Sequence, residues 1–328
     1  MRPRRARWWA TTTVAVLTAA LAVGGLAPST VAVADTAPKN PADITTPETV
    51  STDVLPTPQI GDGSSAAVFG DTKGAGVVWD QVVVGDTVYV GGQFGFARPA
   101  GAAKGEKVVV RSNFLAYDLK TGALLDYAPS FNGTVLSMAV STDQKTLYVG
   151  GTFTSVNNVT RYRLAAFDVA TGALTSFAPS LNASVRAMAV SNSTLYIGGV
   201  FTSVQKAARG GLAALSMATG AVTAWQPVAQ SGTVLALLVS PDESKVIVGG
   251  RFTTLNGSDN PGRSMGAVRA DTGTSLPWKI NGLIRNGGAN SGITSLTSSG
   301  DSVYGTAFLA SAAEGKFEGT FRATWADG

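Results

Sequence analysis

Apolar residues fall along this chain in short bursts separated by turn-forming residues, and not in helical stripes. From Thr146 to Pro179 an apolar run, T-L-Y-V-G-G-T-F, is followed by a polar loop. Then come L-A-A-F-D-V-A-T-G and L-T-S-F-A-P. Short apolar or alternating segments bounded by Gly, Asn, Asp and Pro read as strands. Outside the first 34 residues no segment keeps a helical period. The second unit therefore predicts strand A at Val135 to Val140, B at Thr146 to Phe153, C at Arg163 to Asp168 and D at Ala173 to Phe177.

The same skeleton recurs. Paired glycines stand at Gly91-Gly92, Gly150-Gly151, Gly198-Gly199 and Gly249-Gly250. Each is followed by an aromatic, Phe94, Phe153, Phe201 and Phe252, with Phe308 expected as the fifth. Turn glycines follow at Gly122, Gly172, Gly220 and Gly273, spaced by 50, 48 and 53 residues. Five residues after each comes Tyr127, Phe177, Trp225 or Trp278. Two marker sets held in phase at about 50 residues per unit describe four-stranded antiparallel blades stacked around an axis. The expected fold class is all-β, a β-propeller. Four complete blades are predicted at about 77–128, 134–178, 184–226 and 233–279, with a partial fifth at 290–328. The propeller domain spans 58–328. Because the chain stops at Gly328, a turn glycine, a fragment of a longer gene product is favoured. The competing reading has the apolar segment Val54 to Ile60 pairing into the last blade and closing a ring.

Blades crowd at the axis, so the inner strand must be slim. Aligned on strand A, one position reads Gln81, Ser137, Ala187, Ala236 and Ser295, mostly small. The position at the strand's start reads Asp80, Leu136, Arg186, Leu235 and Thr294.

The repeat brings a resemblance with it. Tyr148-Val149-Gly150-Gly151-Thr152-Phe153, Leu164 to Asp168 with Thr171-Gly172, and Phe177-Ala178-Pro179 resemble the secreted actinobacterial propeller proteins with delta-sixty or kelch-like repeats. The similarity runs from about Leu55 to Gly328 and includes L-P-T-P-Q-I and V-V-W-D-Q-V-V-V-G-D-T-V-Y-V-G-G. It implies a propeller longer than this chain, often followed by PKD, Ig-like or lectin-like modules. It implies no established activity. The A-A-F-D-x-x-T-G element is also similar to quinoprotein repeats, but the Trp after the turn is present only as Trp225 and Trp278. Galactose oxidase shares kelch blades, yet its copper needs His ligands that this chain lacks.

Charge and rare residues narrow the function. Formal net charge is +4, and Arg2, Arg4, Arg5 and Arg7 of the leader supply all of it. The remainder is balanced and offers no basic footprint for nucleic acid. Residues 1–34 read as a signal peptide: a positive n-region, an apolar stretch from Ala10 to Ala27, and Ala32-Val33-Ala34 as a small-x-small cleavage site. Residues 35–57, rich in Pro and Thr, read as a flexible spacer. The expected location is secreted, extracellular or cell-surface, with no membrane span after cleavage. There is no Cys and no His. That removes disulfides, thiolate chemistry, the usual base of a serine triad and the commonest metal ligand. No catalytic set, cofactor site or metal site emerges.

The B–C loops, Gly95 to Ser112, Ser155 to Tyr162, Ser203 to Gly210 and Leu255 to Ser264, are long and differ, whereas the A–B and C–D turns are short. Variable loops on a rigid frame are where binding resides. Candidate ligand residues on that face are Arg111, Arg161 and Arg209 in one register, Arg263 one position off, Arg163, Lys206, and Asp80 with Arg186 at the inner rim. The structural alternative for the register arginines is that each ties its own loop to backbone carbonyls. Asp118 and Asp168 read as turn caps. Asp259-Asn260 offers hard oxygens for calcium or a solvated loop. The expected function is a non-enzymatic binding module for an extracellular glycan or protein. The alternatives are a carbohydrate hydrolase or lyase acting through Asp80 with acids beyond Gly328, and a structural spacer presenting C-terminal modules.

Overall fold

The computed structural model describes residues 57–61, 76–103 and 105–326. The signal-peptide and most of the spacer reading, and the turn at Gly328, lie outside these residues. Five antiparallel sheets succeed one another. Their leading, middle and third strands are Val77–Val84, Thr87–Gln93 and Phe114–Asp118 in the first, and Val135–Val140, Thr146–Gly151 and Leu164–Asp168 in the second. The third has Val185–Val190, Thr194–Gly199 and Leu212–Ser216. The fourth has Val234–Val239, Lys245–Gly250 and Met265–Arg269, with Ser275–Leu276 outermost, and the fifth Ser291–Ser299, Ser302–Leu309 and Gly319–Thr324. Each leading strand packs on the leading strand of the next sheet, so these five form the inner edge. Among the described residues no strand joins the first sheet to the fifth.

The core lies in slabs between successive sheets. Tyr148, Leu164 and Ala166 of the second sheet are buried with Val185, Leu195 and Ile197 of the third. Tyr196 and Leu212 of the third meet Val234, Val246 and Val248 of the fourth. Tyr127 and Phe177 fill the space under the next unit's turn: a Cβ on Gly172 would stand 2.7 Å from Tyr127, and one on Gly220 3.3 Å from Phe177. Those turn glycines hold φ of +70° and +71°, where a side chain is strained.

The paired glycines do two jobs. A Cβ on the first, Gly150, would stand 2.8 Å from Val185 Cγ1 of the next sheet, and on Gly198 2.4 Å from Val234 Cγ1. A Cβ on the second, Gly151 or Gly199, would stand 2.0 or 2.1 Å from the carbonyl oxygen of Thr134 or Ser184. That carbonyl leads into a β-bulge, which interrupts the first four leading strands opposite the glycines and the fifth opposite Thr306 and Ala307.

Several expectations are corrected. Strand B of the second unit ends at Gly151, because Phe153 turns away into the core, fully buried. Strand C begins at Leu164, since Arg163 has φ +72° and breaks the extended backbone. Strand D shrinks to one bridge in the first three units, Tyr117 with Leu124, Phe167 with Leu174 and Leu215 with Val222, where the carbonyl of the next residue, Leu125, Thr175 or Thr223, accepts an arginine Nη2 instead. The Val54 to Ile60 clasp is not formed by its described part: Gln59–Gly61 pairs with Phe96–Arg98 of the first unit's own B–C loop. It takes the role that Phe131 plays against Val156 and Leu181 against Val204. Pairing of Ile293 with Ala307 puts Leu309, not Phe308, in the place of Phe252.

Candidate functional site

The start of each leading strand pairs with the end of its middle strand, so the bulges and the B–C loops share one end of the stack. The loops carry small hairpins of their own. Ser155–Val156 pairs with Val159–Thr160, and Ser203–Val204 with Ala207–Ala208, while Phe96–Arg98 pairs with the distant Val109–Val110. The fourth loop instead sends Thr254–Leu255 to Ala229–Gln230.

The three register arginines make one set of bonds. Nη1 of Arg111, Arg161 and Arg209 donates to the preceding carbonyl, of Val110, Thr160 and Ala208, at 2.9, 2.8 and 2.7 Å. Nη2 donates to the carbonyls of Leu125, Thr175 and Thr223 at 2.9, 2.7 and 2.7 Å. They fasten each hairpin to the residues beyond the third strand. Arg263 bonds differently, Nε to the Arg285 carbonyl and Nη2 to that of Gly287. Lys206 sits exposed at a hairpin tip with φ +69° and makes no hydrogen bond or ion pair to the described residues. Arg163 takes a left-handed slot that Asn113, Gly211 and Ser264 fill in the other units, and Nη1 donates to the Thr152 carbonyl.

The bulges reset the inner rim by one residue. Asp80 pairs with Gly91 as Ser137 pairs with Gly150, so Asp80 stands at the slim inner position and Gln81 one beyond it. The extra residues are Trp79, Leu136, Arg186, Leu235 and Thr294. Leu136, Arg186 and Leu235 are half-exposed between buried neighbours, and Trp79 is 54% exposed. Asp80 and Arg186 are thus not equivalent and not paired. Asp80 Oδ2 accepts the Met138 N–H at 2.6 Å and Oδ1 its neighbour's, from Gln81, at 2.8 Å. Burial pushes its pKa up against those two bonds. Arg186 is pulled below the usual guanidinium range by burial and by the charge of Arg251.

Arg251, the residue after the fourth glycine pair, was not singled out from the sequence. Gln93, Thr152 and Val200 hold that position elsewhere. A lone charge at an otherwise uncharged repeat position was the available signal. Its guanidinium lies 5.0 Å from the Phe308 ring centroid. Among the described residues no three acidic groups come together to hold a metal, and Asp259 is held by Arg285 at 3.0 Å. Asp118 and Asp168 cap their turns as expected, each taking a Thr hydroxyl and N–H, and these bonds lower both pKa values. No helix among the described residues is long and apolar enough to cross a membrane.

Comparison with known proteins gives the class. The family model of the Rax2 C-terminal beta propeller domain matches residues 114–231. With the stacked meander sheets, that match supports a β-propeller fold. No curated protein matches it. Among solved structures, the computationally designed Ika8 protein is similar at 18% identity and TM-score 0.43, over 70% of this chain and 55% of that one. The chain thus spans about half of Ika8's length. The designed Ika4 protein is similar at 17% and 0.36, over 55% and 88%, and U3-55K at 13% and 0.42, over 71% and 61%.

Proposed function

We propose that this protein is a secreted or cell-surface propeller, four full blades and a partial fifth, that binds an extracellular glycan or protein on its hairpin face without chemistry of its own. One observation carries the reading. The sheets keep a single register from unit to unit, while the connections above the glycine pairs differ in length and pairing. A scaffold constant below and varied above is how loops acquire specificity. Asp80, the acid an enzyme reading needs, spends both oxygens on backbone N–H groups, which supports the binding reading over the hydrolase.

The test is a glycan array, followed by extracellular-protein capture, with the full chain and two variants. One replaces the hairpins at 155–160 and 203–208 by minimal turns. The other replaces the opposite-end turn at 142–145. Loss of capture in the first variant alone is expected. Equal capture by both removes the hairpin face. Mass spectrometry of the exported protein is expected to find an N-terminus at Asp35; an intact leader on a membrane-bound product overturns secretion.

A further inference from the structure

We propose that a cleft on the hairpin face, between the fourth and fifth units, binds an acidic segment of a partner protein. Arg263, Arg285 and Lys316 take its carboxylates, and Leu283 takes an aliphatic side chain beside them. This deepens the hairpin-face reading and rests on it.

Three connections meet there, all at the end of the stack that carries the hairpins. Arg263 closes the fourth B–C loop. Leu283 and Arg285 lie on the link from the fourth sheet into Ser291–Ser299, and Lys316 lies on the loop between Ser302–Leu309 and Gly319–Thr324. Together these four line one cleft of about 540 Å³. Two fully buried asparagines hold the connections in place. Asn281 Oδ1 accepts the Gly262 N–H at 2.8 Å, and its Nδ2 donates to the carbonyls of Arg263 and Ile284 at 2.8 and 3.0 Å. Asn286 Oδ1 accepts the N–H groups of Lys316 and Phe317, both at 3.2 Å, and its Nδ2 donates to the Phe308 and Phe317 carbonyls. The Gly287 N–H adds a bond to the Glu314 carbonyl at 2.8 Å. The backbone under the cations is thus fixed before any ligand arrives, which lowers the ordering cost of binding.

The charges stay open to an incoming group. Arg263 directs Nε and Nη2 to carbonyls and leaves Nη1 without a bond to the described residues. Arg285 directs only Nη2 to a partner, Asp259, at 3.0 Å; that carboxylate is 61% exposed, and so exposed a pair is weak. Lys316 is exposed, and its ammonium has no partner among the described residues. Glu314 is the one acid in the lining. Its Oε2 accepts the Asn290 N–H at 2.5 Å, and it forms no ion pair with the three cations. Three cations against one carboxylate leave the cleft positive, and guanidinium forks suit carboxylates.

The partner's class comes from the rest of the wall. No aromatic ring lines the cleft for a sugar to stack on. Its apolar part is Ala312, Ala313 and Leu283, and Leu283, at 81%, is the most exposed large apolar side chain among the described residues. Aliphatic surface beside cations suits a peptide that mixes acidic and aliphatic residues, and not a glycan or a bare ion.

Fluorescence-anisotropy titration of the full chain with a labelled peptide of alternating Asp and Leu tests this. The comparisons are Asn-Leu and Asp-Ser peptides, oligogalacturonate and inorganic phosphate. The Asp-Leu peptide is expected to bind at least about tenfold more tightly than the Asn-Leu peptide and to weaken as salt rises. R285M and K316E should each lose about tenfold or more. L283S should weaken the Asp-Leu peptide and leave the Asp-Ser peptide unchanged. Lys316 and Leu283 are exposed, so K316E and L283S should melt with the parent. Equal binding of the Asn-Leu peptide, or unchanged affinity in K316E, would overturn the inference. So would phosphate that displaces the peptide at equal concentration, oligogalacturonate that binds more tightly than the peptide, or no binding of any acidic peptide. If one of these is found while the hairpin-replacement variant still loses its captured ligand, the cleft inference falls and the hairpin-face reading stands.

Discussion

Gly150 and Gly151 are adjacent and are needed for different reasons, which mutations separate. A methyl on Gly150 meets a side chain, Val185, that can shift. One on Gly151 meets the Thr134 carbonyl oxygen at 2.0 Å, which cannot. Overpacking costs about 1–3 kcal/mol in a close-packed site. Gly150→Ala is expected in that range by urea denaturation and Gly151→Ala beyond it. Val185→Ala should shrink the cost of Gly150→Ala in a double-mutant cycle and leave that of Gly151→Ala unchanged.

Charge makes a second prediction at this scale. Ser240 and Ser244 hold Asp242 at a pKa of about 2. A depressed carboxylate stabilises the fold above its unfolded value of about 3.9 and loses that contribution as pH falls through the folded value. The melting temperature should therefore fall from about pH 4 toward pH 2, and Asp242→Asn should flatten that fall. A variant that tracks the parent across the window would remove Asp242 from the acid response. Asp80 works in the opposite sense, its pKa raised by burial, so its contribution is present at low pH and lost as pH rises through its folded value.

At the scale of the element, the hairpins and their arginines form a unit. Each guanidinium spans 14 residues, from the hairpin's end to the far side of the third strand. Arg161→Gln is expected to speed amide exchange at Val159 and Thr160 while the global melting point moves little. A large global loss would mean that the arginine supports the sheet itself. The glycine pairs and turn glycines were legible in the sequence because each answers a local demand for φ or for space. The bulges were not. An extra residue leaves no mark when Trp, Leu, Arg and Thr all occupy it, so Asp80 and Arg186 read as equivalent until the pairings of Asp80 with Gly91 and of Ala187 with Gly198 separate them. The fourth strand misled for the opposite reason: its residues suit a strand, but in the first three units the carbonyl just past the bridge accepts a distant arginine.

For the whole molecule, stacking is the source of stability. Middle strands of the second, third and fourth sheets are buried almost throughout, whereas the first leading strand exposes Val77, Val78 and Val83. Hydrogen exchange should be slowest over Thr146–Gly151, Thr194–Gly199 and Lys245–Gly250 and fastest over Val77–Val84 and Ser291–Ser299. Uniform protection across all five sheets would contradict a stack whose units lean only on their neighbours. The repeat made this arrangement readable from sequence, because marker phase survives wherever every unit meets the same neighbour. The partner of Gln59–Gly61 was not readable, since its distance from the first leading strand breaks the phase.

The glycine pair has a consequence for how such a chain can be built. In four joints the first glycine is a notch, and the β-branched residue opening the next sheet is the tooth that enters it: Val135, Val185, Val234 and Ile293. Notch and tooth are interchangeable among these joints, so a spare copy of residues 134–183 spliced between the second and third units should mesh at both ends. The fifth sheet carries Thr306-Ala307 where the notch would be, and Thr306 Oγ1 already engages Thr294 and Ser295. The same copy placed behind it would find its tooth obstructed. The series can be lengthened between its notched sheets, while the far side of the fifth sheet accepts only a sheet cut to another profile.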